Sequence, residues 1–141
     1  MLKSYMVKLI LSDLFRYTGE TSSKAFLKLF FNNIYFRFQV YLRLSNSKLK
    51  LVSIASLLLK ARLGGKVNVQ LSRNVPIGYG LYIPHGNVVI NSTARIGNNC
   101  SLLQFVSIGA IHRGKAAEIG DNVYVGPNVN IVGAVCVGDN S

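Results

Sequence analysis

The second half of the chain carries aliphatic residues at a spacing of six. The spacing holds from position 71 to position 137, with one step of seven after Val89 and one step of eleven after Ile108. The eleven aliphatic residues are Leu71, Ile77, Ile83, Val89, Ile96, Leu102, Ile108, Ile119, Val125, Ile131 and Val137. Residues two apart in a strand point to the same face, so each hexad holds two inward side chains and a turn. The pattern predicts a hexapeptide parallel β-helix in which these eleven residues point inward.

The first half of the chain has helical periodicity instead. Helices are predicted over residues 2–17, 23–44 and 48–63, with glycine or polar residues at their ends. The middle helix carries aromatic residues nearly all the way round, which is typical of a helix that is buried, in an oligomer contact or facing a membrane. The chain therefore divides into a helical N-terminal region, residues 1–66, and a β-helix domain, residues 67–141.

The positive charge lies almost entirely in the helical region. Sixteen Lys and Arg against five Asp and Glu give a net charge of +11, and residues 1–66 hold twelve of the former and two of the latter. Half of the residues are apolar, which excludes a disordered basic tail. No nucleic-acid motif is present, so nucleic acid is not an expected partner. Contact of these helices with an anionic membrane surface, or with another assembly of the same chain, is left open.

Two further classes of protein are excluded by what the sequence lacks. No uncharged apolar run reaches eighteen residues, the longest being 51–59, so a membrane-spanning helix is not expected. The N-terminal segment lacks the cleavage site of a signal peptide, which predicts a cytoplasmic protein, with peripheral contact at the inner membrane surface left open. Cys100 and Cys136 form neither a disulfide framework nor a metal-ligand cluster, so no metal is expected.

Several strings of the sequence resemble the serine acetyltransferase family. They are "DLFRYTG" (13–19), "IGYGLYIPHGNVVIN" (77–91), "IGNNCSLLQFVSIGA" (96–110), "RGK" (113–115) and "IGDNVYVGPNVNIVG" (119–133). The chain is most similar to the branch of that family found among surface-polysaccharide biosynthesis genes. The resemblance implies a left-handed parallel β-helix, a homotrimer, acetyl-CoA in a groove between adjacent prisms, and a histidine on a coil corner as general base.

The resemblance places the catalytic base at His85. An imidazole with a pKa near neutrality can remove the proton of a hydroxyl while its oxygen attacks a thioester. Gln70 stands where the family has the aspartate that orients this histidine. Pro84 replaces the family's serine-binding aspartate, and Ala116 replaces its second histidine. These departures favour a sugar hydroxyl over L-serine as the acceptor.

The resemblance also assigns residues to acetyl-CoA. These are Gly109, Ala110, Arg113, Lys115, Gly126 and Pro127. Small or flat residues at coil corners let the pantetheine arm approach the backbone, and the two basic side chains could meet the CoA phosphates. Ordinary hexad turns explain the glycines equally well, and solvated charges explain Arg113 and Lys115 equally well. His112, in the same corner loop, is expected to be an exposed loop residue.

Two functions of different classes compete. The first is an acetyl-CoA-dependent O-acetyltransferase that acts on a sugar hydroxyl or on L-serine. The second is a truncated, non-catalytic protein that associates with membranes or serves as a scaffold, because the sequence stops within a coil at "VCVGDNS". Turnover of acetyl-CoA separates the two.

Overall fold

Helices occupy the N-terminal part of the protein. The computed structural model describes residues 2–141, with side chains described from Tyr5 onward. Within these residues the helices are α1 (Leu2–Thr18), α2 (Ser23–Asn32), α3 (Ile34–Leu44) and α4 (Lys50–Val67). None of these described helices is both long enough and apolar enough to cross a membrane.

The single helix predicted over residues 23–44 is wrong, because the chain breaks at Asn33. This residue is extended, with φ −122° and ψ 111°. Its N–H donates to the carbonyl of Leu29 at 2.8 Å and ends α2, and its Oδ1 accepts from the N–H of Phe36 at 2.9 Å and begins α3. Asparagine is a favoured N-cap because its short side chain satisfies a free N–H of the first turn. The break turns α3 onto α1 and onto the β-helix.

The predicted end of the last helix is also displaced. α4 continues through Gly64 and Gly65 to Val67, and the left-handed residue Asn68, with φ 52°, ends it. A Cβ on Gly64 would lie 3.7 Å from the ring of Phe38 and 3.5 Å from the carbonyl oxygen of Val69. These are ordinary van der Waals distances, so α4 packs against α3 and the first strand here without requiring glycine.

Short parallel strands follow in the described residues. They are β1 (Val69–Leu71), β2 (Val88–Ile90), β3 (Arg95–Ile96), β4 (Ser101–Leu102), β5 (Ser107–Gly109), β6 (Glu118–Ile119), β7 (Tyr124–Val125), β8 (Asn130–Val132) and β9 (Cys136–Val137). They stack into three parallel sheets, which we call face A (β1, β2, β5, β8), face B (β3, β6, β9) and face C (β4, β7). The predicted parallel β-helix, preceded by a helical region, is confirmed.

The predicted inward position of Val89 is wrong. Val89 is 42% exposed, whereas Val88 and Ile90 on either side are buried. The strand register pairs Leu71 with Ile90, so the aliphatic series runs from Ile83 to Ile90 and then in steps of six. The extra residue therefore lies in the turn at 84–87 rather than after Val89. A turn can absorb one more residue, whereas a strand that did so would reverse its alternation.

The other predicted inward residues lie in the core of the β-helix. Most are buried, and Ile77, Ile131 and Val137 are half-buried and pack against the same core cluster. Phe38 and Leu42 of α3 belong to that cluster as well. Helix α3 is thus part of the core of the β-helix, whereas Leu14, Phe36 and Val40 form a second cluster among the helices.

Polar side chains from the helices bind the backbone of the first coil. Asp13 accepts from the N–H of Leu81 at 2.8 Å, and Gln39 donates to the carbonyl of Leu81 at 2.9 Å and accepts from the N–H of Ile83 at 3.1 Å. Arg43 donates to two carbonyl oxygens of the preceding turn. An open strand edge would leave these backbone groups unpaired. The helices therefore provide hydrogen-bond partners for the backbone groups of the first coil, which a preceding coil would otherwise provide.

Candidate active site

His85 lies on the turn that connects face C to face A in the first coil. The side chain is exposed, and its ring lies edge-on to the ring of Tyr35, with centroids 6.5 Å apart. Asn87 ends the turn in the left-handed region, with φ 60°, and its side chain accepts a hydrogen bond from that of Asn68. A Cβ on Gly86 would collide with the carbonyl oxygen of Val67, so the turn rests on the end of α4. The base predicted from sequence therefore sits on a supported turn and is open to solvent.

The residue before this turn is held from the helical side. The carbonyl oxygen of Ile83 lies 2.7 Å from the hydroxyl of Tyr17, and its N–H donates to Gln39 Oε1 at 3.1 Å. The same hydroxyl lies 2.6 Å from Gln39 Oε1. Burial raises the pKa of Tyr17 above its usual range, which keeps the phenol protonated as a donor. Both backbone groups of Ile83 are thus fixed two residues before His85.

Gln70, predicted to orient His85, lies on face A. It is exposed in β1 and pairs in register with Val89 of β2. Its side chain makes no hydrogen bond to His85 in the described part of the chain. The orienting role of Gln70 stays a prediction.

The residues assigned to acetyl-CoA flank face A on both sides. Gly126 and Pro127 follow Val125 of β7 and occupy the same corner as His85, two coils further along the axis. Coils stack about 4.8 Å apart, which places this corner about 10 Å from the His85 turn. The remaining assigned residues, Gly109, Ala110, Arg113 and Lys115, lie at the opposite corner, at the end of β5 and in the loop after it. The predicted site is therefore arranged around one face of the prism.

The corner loop after β5 has an exposed part that carries its charged residues and a buried end. Arg113 and Lys115 are exposed, as is His112, which has φ 52°. Ala116 is buried, and its N–H donates to Thr93 Oγ1 at 2.9 Å. The loop thus presents cations at the edge of face A and anchors its end in the core.

Sequence reasoning missed two side chains near the predicted base. Tyr35 comes from α3, a helix whose position beside His85 no periodicity reveals. Gln104 lies in the next coil at the same corner, and its Oε1 is buried with no hydrogen-bond partner among the described residues. The sequence does carry a signal for Gln104, because it is a polar residue at a corner between the inward residues Leu102 and Val106. An unpaired buried acceptor is costly, so this oxygen is suited to an N–H or O–H donor supplied by a ligand.

A large groove elsewhere contains none of the predicted site residues. It lies between α1 and face B, and its lining includes Tyr5, Arg43, Arg95 and Glu118. Within residues 2–141, no group of three or more His, Cys, Asp or Glu side chains could hold a metal ion. The chemistry available around face A is that of an imidazole, amides and the two loop cations.

Comparison with known proteins finds serine acetyltransferases among the curated relatives. No family model matches the chain. It is 34% identical over 76 residues to the serine acetyltransferase of Helicobacter pylori (strain ATCC 700392 / 26695). The matched segment covers 51% of this chain and 44% of the relative. It is 36% identical over 76 residues to that of Staphylococcus xylosus, covering 51% of this chain and 35% of the relative. The chain thus spans less than half the length of these two curated relatives.

Solved structures of serine acetyltransferases share the fold of nearly the whole chain. Isoform 3 from Entamoeba histolytica, solved with cysteine, superposes with a TM-score of 0.77 at 23% identity, over 98% of this chain and 51% of that one. The Neisseria gonorrhoeae enzyme, solved with serine, gives 0.73 at 25% identity, over 97% and 59%. The chain is therefore similar in sequence to serine acetyltransferases over about half of its residues, and it shares their fold.

Proposed function

We propose that this protein is an acetyl-CoA-dependent O-acetyltransferase that transfers acetyl directly to a hydroxyl group. The observation that carries the proposal is the exposed His85 on a supported turn beside face A, in a chain that is similar to serine acetyltransferases. The half-buried Tyr17 and the buried Gln39 fix the backbone before that turn, which is how a catalytic side chain is held in position.

The reaction needs one proton acceptor and one oxyanion site. The imidazole of His85 takes the proton of the acceptor hydroxyl as its oxygen attacks the thioester carbonyl. The resulting tetrahedral oxyanion is stabilised by backbone N–H groups at a coil corner. When the C–S bond breaks, the thiolate of CoA leaves and takes the proton back from the imidazolium. No covalent enzyme intermediate forms.

Arg113 and Lys115 are proposed to bind the phosphates of acetyl-CoA. Both are exposed at the edge of face A opposite the His85 corner. A strand of three residues is about 10 Å long, so an extended ligand that lies across face A would span both corners. Gly109 and Ala110 at one corner, and Gly126 at the other, leave room for a ligand close to the backbone.

A sugar hydroxyl is the proposed acceptor, as in the polysaccharide-biosynthesis branch. A free amino acid offers an ammonium group, which calls for a carboxylate beside the reacting hydroxyl. Neither the turn at 84–87 nor the stacked row on face A, which consists of Gln70, Val89, Ser107 and Asn130, contains a carboxylate. L-serine is the second candidate, because the relatives are serine acetyltransferases.

Purified protein is expected to release free thiol from acetyl-CoA when sugars are supplied, and to release little with L-serine. A thiol-reactive dye follows the release, and mass spectrometry of the product locates the added acetyl group. Reactions without protein and without acceptor give the background. Thiol release with L-serine alone would assign the acceptor to the amino acid. No thiol release above background with either class of acceptor would favour the non-catalytic alternative.

We also propose a homotrimer in the cytoplasm. The stacked row on face A is uncharged and includes the exposed Val89, so an adjacent prism can cover it. Light scattering of the purified chain is expected to give the mass of three copies or a multiple of three. A stable monomer that turns over acetyl-CoA would show that the site needs no second prism.

A further inference from the structure

The helix α4 has apolar residues on both sides: Leu63 and Val67 pack against the core, and another set of apolar side chains faces solvent. Leu51, Ile54 and Leu58 are 85%, 48% and 67% exposed. Ser56 on the other side is buried and Lys60 is half-buried. A surface helix usually turns its apolar residues toward the core and polar residues toward solvent, so the exposed apolar set is the unusual feature. The apolar stripe of α4 is therefore not used by the fold of this chain.

The inner side of α4 is held by specific contacts, so the orientation is built into the fold. Ser53 Oγ donates to the carbonyl of Ser45 at 2.6 Å and accepts from Arg73. Lys60 Nζ lies 6.0 Å from the centre of the Phe38 ring, a cation–π contact. Turning the helix to bury its leucines would break these contacts. The exposed stripe is thus a stable feature of the surface.

The stripe has the spacing and width of an interaction face. Residues three, four and seven apart along a helix lie above one another, which places Leu51, Ile54 and Leu58 in one row. Leu59, 43% exposed, widens the row on one side. A contiguous apolar face of this kind in water indicates that something covers it.

The charges around the stripe indicate what covers it. Lys50 begins α4, and Arg62 and Lys66 lie near its end, all exposed. No acidic residue occurs anywhere between Glu20 and Glu118. Two copies packed through this face in antiparallel fashion would bring Lys50 of one beside Arg62 and Lys66 of the other, with no carboxylate to neutralise them. A surface that carries negative charge together with an apolar layer satisfies both features, and this is what an anionic lipid bilayer offers.

We propose that α4 binds the surface of an anionic bilayer, with the helix parallel to the membrane plane. Leu51, Ile54 and Leu58 enter the boundary between headgroups and acyl chains, and Lys50, Arg62 and Lys66 contact the lipid phosphates. Each Lys or Arg near such a surface contributes about fivefold to the partition coefficient at moderate salt. The binding itself requires no acyl transfer.

The position of α4 brings the membrane close to the candidate active site. This step of the inference rests on the proposed function. The last residue of α4, Val67, contacts Gly86 in the turn that carries His85. Val67 lies nine positions after Leu58, and a helix rises 1.5 Å per residue, so the stripe ends about 14 Å from that turn. A lipid-linked sugar in the same membrane would then present its hydroxyl groups within reach of the corner.

Vesicle flotation with the full chain tests the membrane contact. Binding is expected to equimolar phosphatidylcholine–phosphatidylglycerol vesicles, much less to phosphatidylcholine alone, and to weaken as salt is raised. The double substitution Leu51→Gln and Leu58→Gln is expected to lower the partition coefficient at least tenfold, because two apolar anchors are lost. Both side chains are exposed and glutamine is a good helix former, so the variant is expected to fold, which circular dichroism checks.

Leu27→Gln is the matched control. Leu27 is 54% exposed on α2, outside the stripe, so its substitution is expected to leave vesicle binding unchanged. Equal binding to neutral and anionic vesicles, or an equal loss with Leu27→Gln, would overturn the proposal. A double variant that keeps wild-type vesicle binding but changes the mass in light scattering would overturn it in favour of a second copy. Failure of acyl transfer, by contrast, would leave the vesicle result standing and would refute only the proposed function.

Discussion

Replacing His85 with alanine is expected to lower kcat by about 10²- to 10⁴-fold, the range for loss of a general base. The loss should fall on kcat, because the residues proposed to bind acetyl-CoA lie two coils away or at the opposite corner of face A. Thiol release gives kcat, and calorimetry of acetyl-CoA binding gives the dissociation constant, which should change little.

The control for this variant is His112→Ala. His112 is exposed in the corner loop, at the far edge of face A from His85, and its removal should change kcat little. The opposite result, with His112→Ala inactive and His85→Ala active, would show that the corner loop holds the base. In that case the assignment of His85 is wrong even if the protein is an acetyltransferase.

Arg43→Met is expected to lower the free energy of unfolding by about 3–5 kcal/mol, because it leaves the buried Asp13 without its partner. Arg43 Nε and Nη2 donate to the two carboxylate oxygens of Asp13 at 2.9 and 3.0 Å, and both side chains are almost completely buried. The same guanidinium donates to the carbonyls of Ile77 and Gly78 at 3.0 and 2.7 Å. Chemical denaturation at neutral pH measures the difference.

The loss from Arg43→Met is expected to depend on pH. Burial raises the pKa of Asp13 even though Arg43 opposes the shift, and removal of Arg43 raises it further. A carboxyl with a raised pKa in the folded state binds its proton more tightly there than in the unfolded chain, where the pKa is about 3.9. The variant should therefore lose stability as pH rises from about 4 through the folded-state pKa.

Arg62→Met provides the comparison for that measurement. Arg62 is exposed on α4, and loss of a solvated charge there should change the free energy of unfolding by less than about 0.5 kcal/mol. If Arg43→Met and Arg62→Met melt alike, the ion pair with Asp13 does not support the junction between the helices and the β-helix. Light scattering on both variants excludes a change of assembly as the cause.

The six-residue spacing alone does not place the extra residue near His85. The six-residue spacing locates the core wherever coils are regular, and Ile96, Leu102, Ile108, Ile119 and Val125 are buried as predicted. It also leaves two places for one inserted residue, before or after the strand that follows His85. Both placements put an aliphatic side chain inward, because that strand reads Val88–Val89–Ile90. The pairing of Leu71 with Ile90 decides between them, and it is a contact between residues far apart in sequence.

The sequence by itself determined the parallel β-helix, most of its inward residues and the helical region before it, because burial in a stacked coil imposes a repeat that is visible locally. Only the tertiary structure decided the outward Val89, the support of the His85 turn and the outward stripe of α4. Each of these depends on a contact between distant segments, such as Gly86 against the end of α4 or Gln39 on the backbone of Ile83. The break at Asn33, by contrast, is made by local hydrogen bonds to Leu29 and Phe36. Local periodicity specifies which side chains prefer burial, and the packing of one segment on another decides which of them are buried.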